Sequence, residues 1–162
     1  MRVAVISDSH QGMTHLQRFV DYCRAEGVEQ VFHLGDVLDD VKWLQKQMDI
    51  PIGAVAGNCD MFARHQREIR ITLQGKRFLM VHGDKYNVKF GYERLSYYAE
   101  EAHADIALFG HTHSPFIGYM GNVLMINPGA LRNGKMCVME LSASDVVPKI
   151  IDIDEWYAQR AE

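Results

Sequence analysis

Short apolar runs, most of them followed directly by a cluster of polar residues, set the pattern of this chain. Runs of about four apolar residues bounded by turn signals are typical of buried β-strands. The predicted strands of this kind cover residues 3–6, 31–34, 52–55, 78–81 and 106–109. In open α/β sheets ligands collect beyond the carboxyl ends of the strands, so we expect the polar clusters to meet in space.

Apolar residues recur at helical spacing between the first three of these strands. Residues 13–23 predict a helix that ends at Gly27, and residues 41–48 predict a second, weaker helix before Pro51. The chain therefore opens with a βαβαβ arrangement, which favours an α/β fold with parallel strands.

The second half of the chain is richer in strands. Alternating apolar positions from Ile69 to Leu73 and a turn at Gly75 predict a hairpin with strand 78–81, and residues 90–103 predict a helix. Turn signals separate further strands at 123–126, 136–141 and 146–153. The sequence contains no internal repeat or linker, so we expect residues 1–162 to form one domain with two packed sheets and helices outside them.

Composition narrows the class of protein. The 162 residues are 48% hydrophobic and 23% charged, and no apolar stretch approaches the roughly 20 residues that cross a bilayer. Three cysteines without paired spacing favour a reducing compartment, and we predict a cytoplasmic protein with no membrane association. The net charge of −4, with scattered Lys and Arg, gives no basic patch for nucleic acid.

Residue types that bind metals follow most of the predicted strands. They are Asp8, His10, Asp36, Asn58, His82, His111 and His113. Two pairs are offset by two residues, which on extended backbone would point both side chains to the same side. Taken singly, each residue would be interpreted as a helix cap, a surface histidine or a turn. Together they predict a metal site, and mixed carboxylate and imidazole ligands suit manganese, iron, zinc or nickel better than calcium.

The ordered series Asp8-x-His10, Gly35-Asp36, Gly57-Asn58, His82 and Gly110-His111-x-His113 resembles the calcineurin-like metallophosphoesterases, especially their small bacterial and archaeal phosphodiesterases. The resemblance continues to Asn127-Pro128-Gly129 and covers nearly the whole chain. It implies an α/β fold, a four-layer α/β/β/α sandwich with two mixed β-sheets.

The same resemblance implies two divalent metal ions. One would be held by Asp8, His10, Asp36 and His113, and the other by Asp36, Asn58, His82 and His111, with Asp36 bridging the two. Mn²⁺ is the favoured ion, with Ni²⁺, Fe²⁺ and Zn²⁺ as alternatives. The implied activity is hydrolysis of a small phosphodiester by in-line attack of a bridging hydroxide, with Asn58 and His111 also contacting the phosphate.

One departure from the family bears on the substrate. Larger members place a histidine directly after the metal-binding Asn, where it protonates the leaving oxygen, whereas this chain has Cys59, followed by Asp60. A thiol is a weak hydrogen-bond donor with an ordinary pKa of about 8.5. We therefore expect phosphodiesters with acidic leaving groups to be preferred over alkyl monoesters.

Two other functions stay open. A phosphomonoesterase or nucleotidase would use the same metal site, although Cys59 disfavours it. A non-catalytic protein-binding scaffold of the same fold, like the retromer subunit that resembles these enzymes, would be expected to lack at least one ligand, and the ligand set here is complete.

The remaining polar and aromatic residues are given structural roles. We expect no metal at His15, His33, His65, His103 or Asp84, and we interpret His33 as a packed, hydrogen-bonded imidazole. Solvated loop charges are the favoured interpretation of Arg64 and Arg67, and helix packing, rather than a nucleobase pocket, is that of Tyr86, Tyr92, Tyr97 and Tyr98. Trp156 and Tyr157 among charged residues would suit packing on a neighbouring copy, so a homo-oligomer is plausible.

Overall fold

The computed structural model describes residues 1–60 and 65–161. The strands are β1 Arg2–Ile6, β2 Gln30–His33, β3 Ile52–Ala54, β4 Glu68–Leu73, β5 Lys76–Val81, β6 Ile106–Leu108, β7 Phe116–Met120, β8 Val123–Asn127, β9 Lys135–Leu141 and β10 Val146–Asp152. The helices are α1 Met13–Glu26, α2 Asp39–Gln47, α3 Glu93–Glu101 and α4 Ile153–Ala161. Within these residues no helix combines the length and the apolar character that crossing a membrane requires.

The strands form two mixed sheets of five strands each. The first has the order β10-β9-β1-β2-β3 and the second the order β4-β5-β6-β8-β7. In the first sheet β1, β2 and β3 are parallel, β9 pairs with β1 in antiparallel fashion, and β10 pairs with β9 in antiparallel fashion. In the second sheet β5, β6 and β8 are parallel and the edge strands β4 and β7 are antiparallel.

Alternation along β1 explains how the layers stack. Val3 and Val5 point into an apolar layer between the two sheets, where they join Phe78 and Met80 of β5. Ala4 and Ile6 point the other way, toward the layer that contains α1 and α4. Helix α3 covers the outer face of the second sheet. A strand buried on both faces carries an unbroken apolar run, and the predicted four-layer α/β/β/α sandwich is confirmed.

The C-terminal end forms helix α4, which packs Trp156 against α1. The last strand ends at Asp152, whose carboxylate accepts the backbone N–H groups of Asp154 and Glu155 and so supports the start of α4. Trp156 packs edge-on against Tyr22 of α1, with ring centroids 5.0 Å apart. Trp156 is thus partly buried inside the domain, whereas Tyr157 is 43% exposed, and the packing of these two residues on a neighbouring copy stays a prediction.

The region before α3 also differs from its prediction. The structure has 3₁₀ turns at Asp84–Tyr86 and Val88–Phe90, and α3 begins only at Glu93. Gly91 lies between them with a φ of 143°, which a helix does not accept. Phe90, which the prediction placed at the start of the helix, lies in the second 3₁₀ turn and is 92% exposed.

The alternating strand β7 was not predicted at all. Only every second residue of β7 is partly buried, because it forms the edge of the second sheet. Tyr92, interpreted as a packing residue, does pack against aromatic rings, those of Phe109 and Phe116.

Candidate metal centre

Loops that follow strands of both sheets meet at one edge of the sandwich. Backbone hydrogen bonds join these loops in pairs: the Asp8 N–H donates to the Gly35 carbonyl at 2.9 Å, and the Gly110 N–H donates to the His82 carbonyl at 2.8 Å. The loop after β1 is thereby joined to the loop after β2, and the loop after β6 to that after β5. This arrangement brings together polar residues that are far apart in sequence.

A first group of potential ligands consists of Asp8, His10 and His113. Their donor atoms all lie within 4.8 Å of one another. Asp8 Oδ1 is 3.2 Å from His113 Nε2 and 3.7 Å from His10 Nε2. Asp8 is fully buried, whereas both histidines are partly exposed, so the group opens toward solvent on the histidine side.

A second group consists of Asp8, Asp36 and His82, again with donor atoms within 4.8 Å. Asp36 Oδ2 is 3.3 Å from His82 Nε2, and His111 Nδ1 is 3.2 Å from the same His82 nitrogen. The carboxylate common to both groups is Asp8. The bridging role that the family resemblance implies for Asp36 therefore stays a prediction.

Asn58 and Cys59 belong to the loop that lies beside Asp36. Both residues are exposed, and within residues 1–60 and 65–161 no hydrogen bond joins the Asn58 side chain to another candidate ligand. The Cys59 backbone N–H donates to Asp36 Oδ1 at 3.0 Å, which fixes the loop beside that carboxylate. The ligand role of Asn58 stays a prediction.

The backbone at the site is not extended, contrary to the argument from the two-residue offsets. Positive φ angles occur at the five residues Asp8 (53°), His10 (43°), Asp36 (54°), His111 (70°) and His113 (65°). Left-handed residues between strand ends turn the chain sharply, and non-glycine residues adopt them only where the surroundings enforce it. The side chains thus converge through turns of the backbone, and the assumption of extended geometry was wrong.

Glycine is required where the loops approach the carboxylates. A Cβ atom on Gly57 would lie 2.1 Å from Asp36 Oδ1, and one on Gly110 would lie 2.1 Å from Ser7 Oγ and 2.9 Å from Asp8 Oδ2. These distances are far below van der Waals contact. The glycines that precede Asn58 and His111 therefore allow the close packing of the site.

Asp60 is a supporting residue to which the sequence analysis gave no role. This buried carboxylate accepts backbone N–H groups of Asp36 and Gly57 through Oδ2, both at 2.9 Å, and that of Leu38 through Oδ1, also at 2.9 Å. It joins the loop that carries Asp36 to the loop that carries Asn58. Its position within the polar cluster was a signal for involvement, but its partners are backbone groups, which a sequence does not reveal.

His33 lies below the site in a buried hydrogen-bonded chain. It accepts the Gly35 N–H at Nδ1 (3.0 Å), its Nε2 is 2.8 Å from Ser9 Oγ, and the Ser9 hydroxyl donates to Asp40 Oδ2 at 2.6 Å. Burial lowers the pKa of His33 to about 4, so the ring is neutral and carries its proton on Nε2. The interpretation of His33 as a packed, hydrogen-bonded imidazole is confirmed.

Asn127 holds the last histidine loop in a similar way. Its side-chain amide donates to the Gly110 carbonyl at 3.1 Å and to Thr112 Oγ1 at 2.9 Å, while its oxygen accepts the Gly129 N–H. The loop with His111 and His113 is thus fixed from the strand next to it. Among the described residues, His15, His65 and His103 belong to neither ligand group, and the absence of a metal at these histidines stays a prediction.

The charges at the site favour deprotonated carboxylates. Burial by itself would raise the pKa of Asp36, but the hydrogen bond and charge of His82, together with the Cys59 N–H, outweigh it and hold that pKa below its usual range. Burial, the charge of His82 and that of Lys89 lower the pKa of His111. Burial by itself would lower the pKa of His82, but its hydrogen bond to Asp36 and the charges of Asp8 and Asp36 outweigh burial and raise that pKa. A divalent transition metal would displace this proton on binding and so be held by ionised carboxylates and neutral imidazoles.

One atom tests the fit of a metal directly. His10 Nε2 is buried and has no hydrogen-bond partner among the described residues. Buried polar atoms are rarely left without a partner, and this one lies beside the Asp8 carboxylate. The residues of the site therefore fit a divalent cation.

Comparison with known proteins agrees with the geometry. The profile of the calcineurin-like phosphoesterase superfamily domain matches residues 1–143. The Bacillus subtilis protein named "Probable metallophosphoesterase YsnB" is 33% identical over 132 residues, which cover 82% of this chain and 76% of that protein. Phosphodiesterase MJ0936 of Methanocaldococcus jannaschii is 24% identical over 145 residues, covering 80% of this chain and 83% of that protein.

A solved structure shows the same fold. Wild-type Vps29 from Entamoeba histolytica, complexed with Zn²⁺, superposes with a TM-score of 0.76 at 18% sequence identity. The superposition covers 94% of this chain and 99% of that one. At this level of identity the likeness establishes the architecture alone.

Proposed function

Because the chain belongs to the calcineurin-like phosphoesterase superfamily, we propose that this metal-dependent phosphoesterase acts on phosphodiesters. The observation that carries the proposal is the convergence of Asp8, Asp36 and three histidines on two adjoining groups, with His10 Nε2 buried and without a partner among the described residues. The similarity to a protein named phosphodiesterase supports the choice of a diester over other phosphate esters.

Two metal ions would divide the ligands between them. Asp8, His10, Asp36 and His113 would hold one ion, and Asp36, Asn58, His82 and His111 the other. Bound divalent ions at such a site supply an activated hydroxide for in-line attack and neutralise charge on the phosphoryl oxygens. Mn²⁺ is our first choice. Asn58 is exposed and His111 is partly exposed, and both would contact the phosphate.

The identity of residue 59 supports a diester with a good leaving group. Cys59 is exposed, and partial desolvation together with the hydrogen bond and charge of the neighbouring Asp36 raises the pKa of its thiol to about 11. Such a thiol is a poor proton donor compared with an imidazolium, and general acid catalysis is typically worth about 10²–10⁴-fold. We expect Cys59→His to accelerate hydrolysis of esters with poor leaving groups more than that of aryl esters. An unchanged dependence on leaving-group pKa would contradict this role of residue 59.

Hydrolysis of bis(p-nitrophenyl) phosphate tests the proposal. The protein is stripped of metal, titrated with Mn²⁺ and compared with Asp36→Ala and with the exposed-site control Asp49→Asn. We expect turnover that needs Mn²⁺, persists in Asp49→Asn and is lost together with metal binding in Asp36→Ala. Full activity and metal content in Asp36→Ala would refute the ligand assignment. A p-nitrophenyl phosphate arm measures whether monoesters are hydrolysed better.

A protein-binding scaffold is the second candidate, because the fold is also that of Vps29. The two candidates differ in the outcome of the assay above. Two ions bound without turnover of any ester would favour the scaffold, whereas metal-dependent turnover would exclude it as the sole function.

We also propose that the chain forms a single domain located in the cytoplasm. Strand β10 pairs along its whole length with β9, and α4 packs on α1, which supports one folding unit beyond the matched residues 1–143. The cysteines Cys23, Cys59 and Cys137 are all unpaired, which suits a reducing compartment.

A further inference from the structure

A cleft of about 400 Å³ lies directly beside the candidate metal centre. His82 lines it from the metal side, and Arg67, Lys85 and Tyr86 line it further out. Clefts of roughly 300–1,000 Å³ are typical of small-molecule sites. In the proposed reaction the scissile phosphate is bound at the metal centre. Because His82 belongs both to that centre and to the cleft, the cleft would receive a neighbouring part of the same substrate.

The charged side chains that line this cleft differ in whether they have an oppositely charged partner within the protein. The Glu68 carboxylate is bonded on both oxygens, to Arg70 Nε at 2.8 Å and to the Tyr98 hydroxyl at 2.5 Å. Its charge is therefore largely neutralised within the protein. Arg67 has no such partner: no carboxylate among the described residues lies within salt-bridge distance of its guanidinium, and residues 61–64 contain no acidic side chain.

Arg67 is also held close to the reacting centre. Its Nη1 donates to the Gly57 carbonyl at 3.4 Å, in the residue that packs against the Asp36 carboxylate. A half-buried guanidinium with four remaining N–H donors is well suited to a phosphate, which it can bind with two parallel hydrogen bonds. Lys85 adds a second positive charge at the rim, and Asp84 is the one lining carboxylate not matched by a bonded cation. Because Arg70, which lies outside the lining, neutralises Glu68, the charges of Arg67 and Lys85 exceed that of Asp84 and leave one net positive charge at the cleft.

An aromatic side chain, that of Tyr86, forms one wall of the cleft. Tyr86 is half-buried and its ring leans on that of Tyr98, with centroids 5.1 Å apart. It offers a flat, supported surface between the metal centre and the rim. A sugar or ring that links two phosphates could rest on it.

We propose that Arg67 and this cleft select phosphodiesters in which one of the esterified alcohols carries a second phosphate group. This inference rests on the proposed function, since it names the substrate class of the same site. Arg67 binds the second phosphate, while the scissile phosphate lies at the metal ligands. The earlier interpretation of Arg67 as a solvated loop charge is replaced by a specificity role; Arg64 lies outside the described residues.

A matched pair of substrates tests the selection. The p-nitrophenyl ester of thymidine 5′-phosphate and its 3′-phosphorylated counterpart release the same leaving group and differ only in the second phosphate. We expect kcat/KM to be about tenfold to a hundredfold higher for the phosphorylated ester, as one charge-assisted interaction of this kind provides. In Arg67→Ala the ratio should fall to near one, and in Arg67→Lys to an intermediate value. Lys149→Ala, which removes an exposed charge on the other sheet, should retain the wild-type ratio.

Binding separates this inference from the proposed activity. Calorimetry on Mn²⁺-loaded protein compares thymidine 3′,5′-bisphosphate with thymidine 5′-phosphate, and the bisphosphate should bind tighter by a similar factor in wild type but not in Arg67→Ala. Equal affinities in wild type, or a preference that survives Arg67→Ala, would overturn the role of Arg67 even if both esters are hydrolysed. A preference that depends on Arg67 without any turnover would uphold the cleft and reject the enzyme.

Discussion

Replacing Asp60 by Asn tests whether a buried carboxylate outside the ligand set organises the metal centre. Asp60 Oδ2 accepts two backbone N–H groups and Oδ1 accepts a third, each at 2.9 Å. An Asn side chain of the same shape keeps one oxygen. In its better orientation it preserves the bonds to Asp36 and Gly57 and turns its NH₂ group toward the Leu38 N–H.

The magnitude follows from this loss. A hydrogen bond to a charged group contributes about 1.5–3 kcal/mol, and a buried donor left unsatisfied costs about 1–3 kcal/mol. Asp60→Asn loses one such bond and weakens two, so we expect the free energy of unfolding to fall by about 2–4 kcal/mol. For a chain of this size that corresponds to a drop in Tm of about 5–15 °C. Asp60→Ala leaves all three donors without their acceptor and should cost more.

Two measurements check this prediction. Urea unfolding of the metal-stripped protein gives the change in stability, and calorimetric titration with Mn²⁺ gives the change in metal affinity. Because Asp60 holds the loop of Asp36, we expect metal affinity to fall by about tenfold to a hundredfold, the usual effect of removing a group that orients a ligand. Asp49→Asn removes the same charge from an exposed position and should change stability by less than about 0.5 kcal/mol.

The change in stability and the change in metal affinity test different roles of Asp60. Lower stability with unchanged metal affinity would show that Asp60 supports the fold without positioning Asp36. Wild-type values for both in Asp60→Asn would refute the structural argument, since neither the charge nor the second oxygen would then matter.

Three further predictions concern other supports of the site. Gly57→Ala places a methyl group 2.1 Å from Asp36 Oδ1 and should abolish tight Mn²⁺ binding, whereas Gly75→Ala, in open space with a positive φ, should cost only about 1 kcal/mol in urea unfolding. Asn127→Ala removes two donors to the histidine loop and should lower both stability, by about 2–4 kcal/mol, and Mn²⁺ affinity measured by calorimetry. His33 has a pKa of about 4 in the folded state and 6.5 in the unfolded state, so the unfolded state takes up a proton first as the pH falls. The contribution of His33 to the free energy of unfolding is therefore present above pH 6.5 and falls by about 2 kcal/mol as the pH drops to 5. His33→Gln, compared with wild type by unfolding at pH 7.5 and 5, should lack that component of the slope.

Much of the fold could be predicted because both sheets contain parallel strands that are buried on both faces. A strand covered on both faces, such as β1 or β5, needs apolar residues throughout, and such runs stand out in a sequence. Edge strand β7 is half-exposed and contains Gly118, so its sequence of apolar and polar residues is hard to distinguish from that of a loop. Helix α4 was missed because its start depends on Asp152, which also ends the preceding strand.

The candidate ligands were predictable for a related reason. Carboxylates and imidazoles at strand ends are chemically distinctive, and a parallel sheet brings its strand ends to one edge. Their backbone conformation was not predictable, because left-handed φ angles at Asp8 and His111 are imposed by neighbouring loops. Asn58 differs from the other candidates, because its residue type fits a ligand but no hydrogen bond among the described residues joins its side chain to them.

The supporting residues form a class that sequence reasoning finds hardest. Asp60 and Asn127 bind backbone groups of loops that follow other strands, and His33 reaches Ser9 across two strand ends. Most of the groups that they bind are backbone N–H and carbonyl groups, which nearly every residue type has, so few side-chain pairs mark them in the sequence. These residues nevertheless stabilise the site, because each forms hydrogen bonds to buried donors or acceptors that would otherwise be left unpaired beneath the ligands. It follows that substitutions at these three positions should weaken metal binding without removing a ligand, which distinguishes an organised centre from a set of donors that metal alone assembles.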